Sequence, residues 1–170
     1  MYLTNVIIHN HCSLELKTIC DNIYWGNVIK NKVIKDSLFY RIYVKNALCT
    51  MNGMYIVLKL DNLKWTNHHM QYNIISNLHL INCIVQIEQS ILNNHNIDKD
   101  SKKNTLLICD DIVNNRIKIA NAVTSFTSHS TIMLKISGLW ETATHRGLVY
   151  KFLLVNDITN SSNGEQNKII

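Results

Sequence analysis

Ser37-Leu38-Phe39-Tyr40-Arg41-Ile42-Tyr43-Val44-Lys45, then Ala47-Leu48-Cys49-Thr50-Met51, then Asn52-Gly53, then Met54-Tyr55-Ile56-Val57-Leu58-Lys59-Leu60 is the stretch that decides the fold. Side chains alternate across a strand, so Leu38, Tyr40, Ile42 and Val44 share one face while Phe39, Arg41, Tyr43 and Lys45 share the other. Asn-Gly between two apolar runs is the strongest short hairpin signal, because both residues accept the positive φ of a type I′ turn. A hairpin tip is therefore expected at Asn52-Gly53. Upstream, Thr4–His9 and Ser13–Cys20 read as short strands. Asp21–Asp36, rich in Asn and Lys around Tyr24-Trp25-Gly26, reads as a loop holding one short strand.

Downstream the period changes. Ile74, Leu78, Ile81, Val85, Glu88 and Leu92, flanked by Ile75, Ile84 and Ile91, make one broad stripe at the 3.6-residue period. That stripe predicts a helix over about 73–93, capped by Ser76 or Asn77 and ending in Asn93-Asn94-His95-Asn96. A polar connector over 96–104 follows, and strands are expected at Thr105–Cys109, Asn115–Ala120, Thr131–Ser137 and Leu148–Val155. Gly138–Thr142 and Gly147–Val155 read as two arms joined by Ala143-Thr144-His145-Arg146. The sequence predicts one β-rich domain over 1–155, with residues 156–170 as a flexible tail dominated by Asn, Ser, Gly, Asp and Gln.

Composition bounds the function. The 170 residues are 46% hydrophobic and 17% charged, enough for one core. No apolar stretch approaches the roughly 18 residues of a membrane helix, and the first residues lack the basic head and long apolar run of a secretory signal. No membrane partner and an intracellular location are expected. Asn and Ile dominate, Pro is absent and Gly numbers 5, so the composition favours AT-rich codons. Seventeen basic residues against 12 acidic ones give a formal charge of +5. Residues 1–64 hold eight of those basic residues against four acids, an excess that a phosphate-facing surface and a Lys-rich codon bias both produce. Cysteines at 12, 20, 49, 83 and 109 form no C-x-x-C pair and suit a reducing compartment. His9-Asn10-His11-Cys12 with Cys20, and the adjacent His68-His69, match no zinc spacing, so no metal is expected.

Catalytic signatures are missing. The sequence holds no G-x-x-x-x-G-K, G-x-G-x-x-G, G-x-S-x-G or H-E-x-x-H. Asp110-Asp111, Ser128-His129-Ser130 and the Glu141, His145 pair lie at no recognisable acid-base or triad spacing. The chain is thus read as non-enzymatic and without a cofactor. Its positive signal is the outer face of 37–45, where Phe39, Arg41, Tyr43 and Lys45 interleave aromatic rings with cations, preceded by Tyr24, Trp25, Lys30, Lys32 and Lys35. Such a surface stacks bases and neutralises phosphates of a single-stranded DNA or RNA.

Phe39-Tyr40-Arg41-Ile42-Tyr43 leading to Asn52-Gly53-Met54-Tyr55-Ile56, with Lys135-Ile136-Ser137-Gly138-Leu139-Trp140-Glu141-Thr142 and Gly147-Leu148-Val149-Tyr150-Lys151-Phe152, resembles small uncharacterised proteins of nucleocytoplasmic large DNA viruses. The resemblance covers about a third of the chain and implies a viral source, hence the host cytoplasm or nucleus. It brings no site residues. The order of strands, helix, strands fits an OB-fold-like barrel, a common platform for single strands in DNA replication or repair. A β-sandwich or jelly-roll-like module reads almost the same. That alternative makes the chain a structural or protein-interaction component of a virion that self-associates through sheet edges.

Overall fold

The computed structural model describes residues 6–8, 21–45, 49–66, 69–94, 102–121 and 130–156. Its chain order is β1 (Val6–Ile8), β2 (Ile23–Lys30), β3 (Leu38–Lys45), β4 (Thr50–Asn52), β5 (Met54–Leu58), β6 (Lys64–Thr66) and β7 (His69–Gln71). A 3-10 turn (Ile75–Asn77) then leads into α1 (Leu78–Asn94), β8 (Lys103–Thr105), α2 (Leu107–Val113), β9 (Ile117–Lys118), β10 (Ser130–Glu141) and β11 (His145–Asn156). The protein is mainly β with one long helix, as the sequence predicts.

β10 organises the main sheet. Its whole length pairs with β11 across a tip at 142–144, close to the expected joint. Along its other edge lie two strands end to end: β5 opposite Ile132–Ile136 and β3 opposite Gly138–Glu141. A register shift between Ile136 and Gly138 marks the change of partner. β2 extends the sheet beyond β3, β1 runs parallel to β5, and β8 runs parallel to β11. Among the described residues the sheet stays open at its edges, with no ladder closing it into a barrel.

The expected hairpin tip at Asn52-Gly53 is a correction. β4 pairs antiparallel with β3, whereas β5 joins β10 and β1, so Asn52-Gly53 does not join two strands that pair with each other. Gly53 bends the chain where it leaves one partner for the other. Its φ is +96°, and a Cβ there would lie 2.8 Å from the Ile136 carbonyl oxygen, so glycine is required for the partner change and not for a two-residue turn.

The inner face of this sheet carries Tyr40, Ile42, Val44, Met54, Ile56, Leu58, Ile132, Leu134, Leu139 and Phe152, all buried. They join one cluster with Leu80, Ile84, Ile87 and Ile91 of α1, Ile108 and Ile112 of α2, and Met70 and Ile117 of a second, three-stranded sheet (β6-β7-β9). The apolar stripe is thus core from Leu80 onward, whereas Ile74, Ile75 and Leu78 at its start are exposed. The helix start is capped by neither Ser76 nor Asn77. Asn73 does that work, its Oδ1 accepting the Ser76 N–H at 3.1 Å, while buried Asn77 accepts the Asp61 N–H at 2.8 Å and ties the preceding loop down.

Two other expectations change. Asp21–Asp36 contains an eight-residue strand, β2, with a bulge between Trp25 and Val28 that its weak alternation hid. Thr105–Cys109 is not a strand: β8 ends at Thr105, and α2 begins because Glu88 reaches across from α1. The Glu88 carboxylate accepts the N–H of Ile108 at 3.1 Å and of Cys109 at 2.8 Å, capping a helix whose own Leu106 cannot. Thr4–His9 is described only at β1, and Ser13–Cys20, His9, His11, Cys12, His68, Ser128, His129 and residues 157–170 lie outside the described residues. Among those described, no helix is long and apolar enough to cross a membrane.

Candidate functional site

The β3 alternation falls as the sequence implies except at its first residue, Leu38, which is exposed at the strand end. Tyr40, Ile42 and Val44 are buried, while Phe39, Arg41 and Tyr43 are half-exposed and Lys45 is exposed on the opposite face. Directly paired residues share a face, so Trp140 (opposite Phe39) and Gly138 (opposite Arg41) extend this outer surface onto β10, and Val149 and Lys151 extend it onto β11. Gly138 is what makes the surface flat. A Cβ there would meet the Phe39 ring at 2.5 Å and the Tyr40 carbonyl oxygen at 2.3 Å, so the ring lies directly on the bare backbone. Trp140 lies in the same way on Gly147.

Two adjoining grooves open here. The larger, about 710 Å³, has an apolar floor of Phe39, Leu148, Val149, Ile119 and Ile29, with Val33 and Ile34 from the turn after β2 along one wall. Five cations line it: Lys30, Lys32, Arg41, Lys118 and Lys151. None of the five is ion-paired to a described acid. The smaller groove, about 660 Å³, is bounded by Trp25, Gly26, Asn27 and Tyr43, and shares Ile29 and Arg41 with the first. Arg41 therefore stands between the two. Its Nη1 donates to Asn52 Oδ1 at 3.3 Å, which steadies the guanidinium.

Of the nine residues singled out from sequence, the grooves gather six: Lys30, Lys32, Phe39 and Arg41 in the larger, and Trp25, Arg41 and Tyr43 in the smaller. Trp25 stands opposite Ile42 and also packs on the core cluster. Tyr24 and Lys45 sit together at the far end of the face, the ammonium 5.8 Å from the ring centroid, outside both grooves. Lys35 is exposed beside Asp36 and lines neither. Sequence reasoning missed Lys118, Lys151, Val149 and Trp140. The alternation of 130–141 and 145–156 held the signal, but only the strand order shows that these residues adjoin β3.

No protein-family model, curated protein or solved structure matches the chain. The chemistry must therefore come from the groove itself. Asp110 and Asp111 do not form an acid pair: Asp110 bonds Arg116, while Asp111 Oδ2 accepts the Tyr150 hydroxyl at 2.7 Å. Burial, and then that hydrogen bond, raise the Tyr150 phenol above its usual value, so it remains a donor. Glu141 bonds Lys102, and His145 Nδ1 lies 2.8 Å from Thr144 Oγ1, so these two are tied to separate partners. Among the described residues no three His, Cys, Asp or Glu side chains gather as a metal site. What remains is an apolar floor rimmed by cations that no described acid pairs.

Proposed function

We propose that the protein binds single-stranded nucleic acid along the outer face of β3, β10 and β11, without catalysing a reaction. The larger groove carries this reading: five cations, none ion-paired to a described acid, surround an aromatic and aliphatic floor. Cations alone suit any polyanion, and an apolar floor alone suits any lipid or peptide. Together they match a strand whose phosphates and unstacked bases need both. The rings help because Phe39 and Trp140 lie close over glycines and stay half-exposed, leaving ring surface for a base worth about 1–3 kcal/mol of stacking. In this role the open sheet works as the face of an OB-fold barrel does. Cys49, Cys83 and Cys109 are in no disulfide, which agrees with a reducing intracellular setting such as a viral replication or repair complex.

A labelled octanucleotide titrated by fluorescence anisotropy tests the reading. Binding at low salt that weakens steeply as salt rises supports it, because each neutralised phosphate releases counterions. Absence of binding at the lowest salt sinks it.

One observation favours a second reading, a self-associating structural module. The outer edge of β2 pairs with no described strand, and Val28 and Ile29 on it are each 50% exposed. Such an edge can template pairing with another chain. Mass measured by light scattering across a concentration series separates the two: a single monomeric mass excludes the edge-paired module and leaves nucleic-acid binding untouched.

A further inference from the structure

Asp111 is out of place for a groove that only grips phosphate. It is the one acid lining the larger groove among the described residues, facing five cations, and a carboxylate there weakens the attraction for any polyanion. Its position is nonetheless fixed. α2 is anchored at its first turn by Glu88, and the Tyr150 hydroxyl, itself in the groove wall, holds Asp111 Oδ2 at 2.7 Å. The other oxygen, Oδ1, is ion-paired with the exposed Arg116 at 3.8 Å, beyond hydrogen-bond range, so among the described residues it keeps its acceptor sites. The carboxylate is thus held by Tyr150 in the lining of the groove, able only to accept.

We propose that Asp111 makes the groove selective for bases bearing an exocyclic amino group, cytosine, adenine or guanine, over thymine and uracil. This rests on the nucleic-acid reading and names the base class of that same site. An acceptor-only group suits an amino donor, as acidic side chains accept from the cytosine amine in duplex recognition. Thymine and uracil place a carbonyl oxygen where cytosine carries its amine, and their one ring N–H is flanked by two carbonyls that the carboxylate repels. The apolar floor stacks all of them alike. Discrimination therefore falls to the acid, and the acid's cost in phosphate attraction is offset only when the right base is present.

The test compares oligo-dC and oligo-dT octamers, two pyrimidines of the same ring size, by anisotropy at low salt and pH 7.5. The wild-type protein should prefer oligo-dC by about tenfold, the scale of one charge-assisted hydrogen bond. Asp111→Asn keeps a carbonyl for Tyr150 while adding an amide that can serve thymine O4, so the preference should fall to about one, with tighter binding of oligo-dT. Asp21→Asn removes the same charge from an exposed site outside both grooves and should keep the preference. A wild-type protein that binds both octamers equally, or an Asp111→Asn variant that retains the full preference, overturns the assignment of Asp111 while nucleic-acid binding stands. Binding of neither octamer overturns the nucleic-acid reading itself.

Discussion

Phe39 and Ile42 are three positions apart on one strand, yet they answer different questions. Ile42 is completely buried in the shared core, so Ile42→Ala should cost about 2–5 kcal/mol by urea denaturation. Phe39 is half-exposed and leans on a glycine, so Phe39→Ala should cost about 1 kcal/mol, the transfer value of a partly buried ring. Equal losses would place the ring in the core and remove it from the binding surface. Gly138→Ala is the companion change. An added methyl meets the Tyr40 carbonyl as well as the Phe39 ring, and backbone cannot move aside as a side chain can, so about 1–3 kcal/mol of stability should be lost. A melting temperature unchanged by Gly138→Ala would show that the strand approach is looser than described.

Glu88 shows most clearly what an element-level reading of sequence can and cannot reach. Its place in the α1 stripe was legible from the 3.6-residue period, and from Leu80 onward that stripe is core. That a carboxylate there would cap α2, twenty residues onward, was not, because capping joins two elements by a contact with no local pattern. α2 is consequently misread as strand: seven residues starting at Leu107 carry no capping signal of their own. The same holds for Gly53, whose local context spells a hairpin while the partner change at Ile136 and Ser137 decides its use. β3 was legible because one side of it is buried and alternation records that. Burial raises the Glu88 pKa above its usual value despite the backbone N–H groups it accepts. The folded state therefore binds the proton more tightly than the unfolded chain does. Its contribution is fully present below about pH 4.5 and is lost as pH rises through the higher folded value. Glu88→Gln should flatten that decline, while giving up one of the two caps and losing about 1–3 kcal/mol at low pH. Chemical denaturation from pH 4 to 8 reads both effects, and parallel pH profiles for the two proteins would refute the assignment.

At the scale of the whole molecule, β2, β3, β10, β11 and the 118–120 segment each bring part of one basic, apolar-floored surface, and no single stretch of sequence contains it. Phe39, Arg41 and Tyr43 were readable from one strand's alternation. Lys118 and Lys151 were not, since their nearness to β3 depends on β10 standing between β3 and β11 and on residues 119–121 running beside β11. The excess charge in the first 64 residues is thus only part of the cationic surface. The most direct measurement is the salt dependence of octanucleotide binding for the wild-type protein and for Arg41→Gln and Lys151→Gln. Each phosphate contact to a single strand contributes about −0.7 to the slope of log K against log salt, so a groove with five cations predicts a wild-type slope of about −3.5. Each variant should bind more weakly and with a slope shallower by about 0.7. Slopes identical in all three proteins, or no binding at low salt, would contradict a nucleic-acid interface on this face.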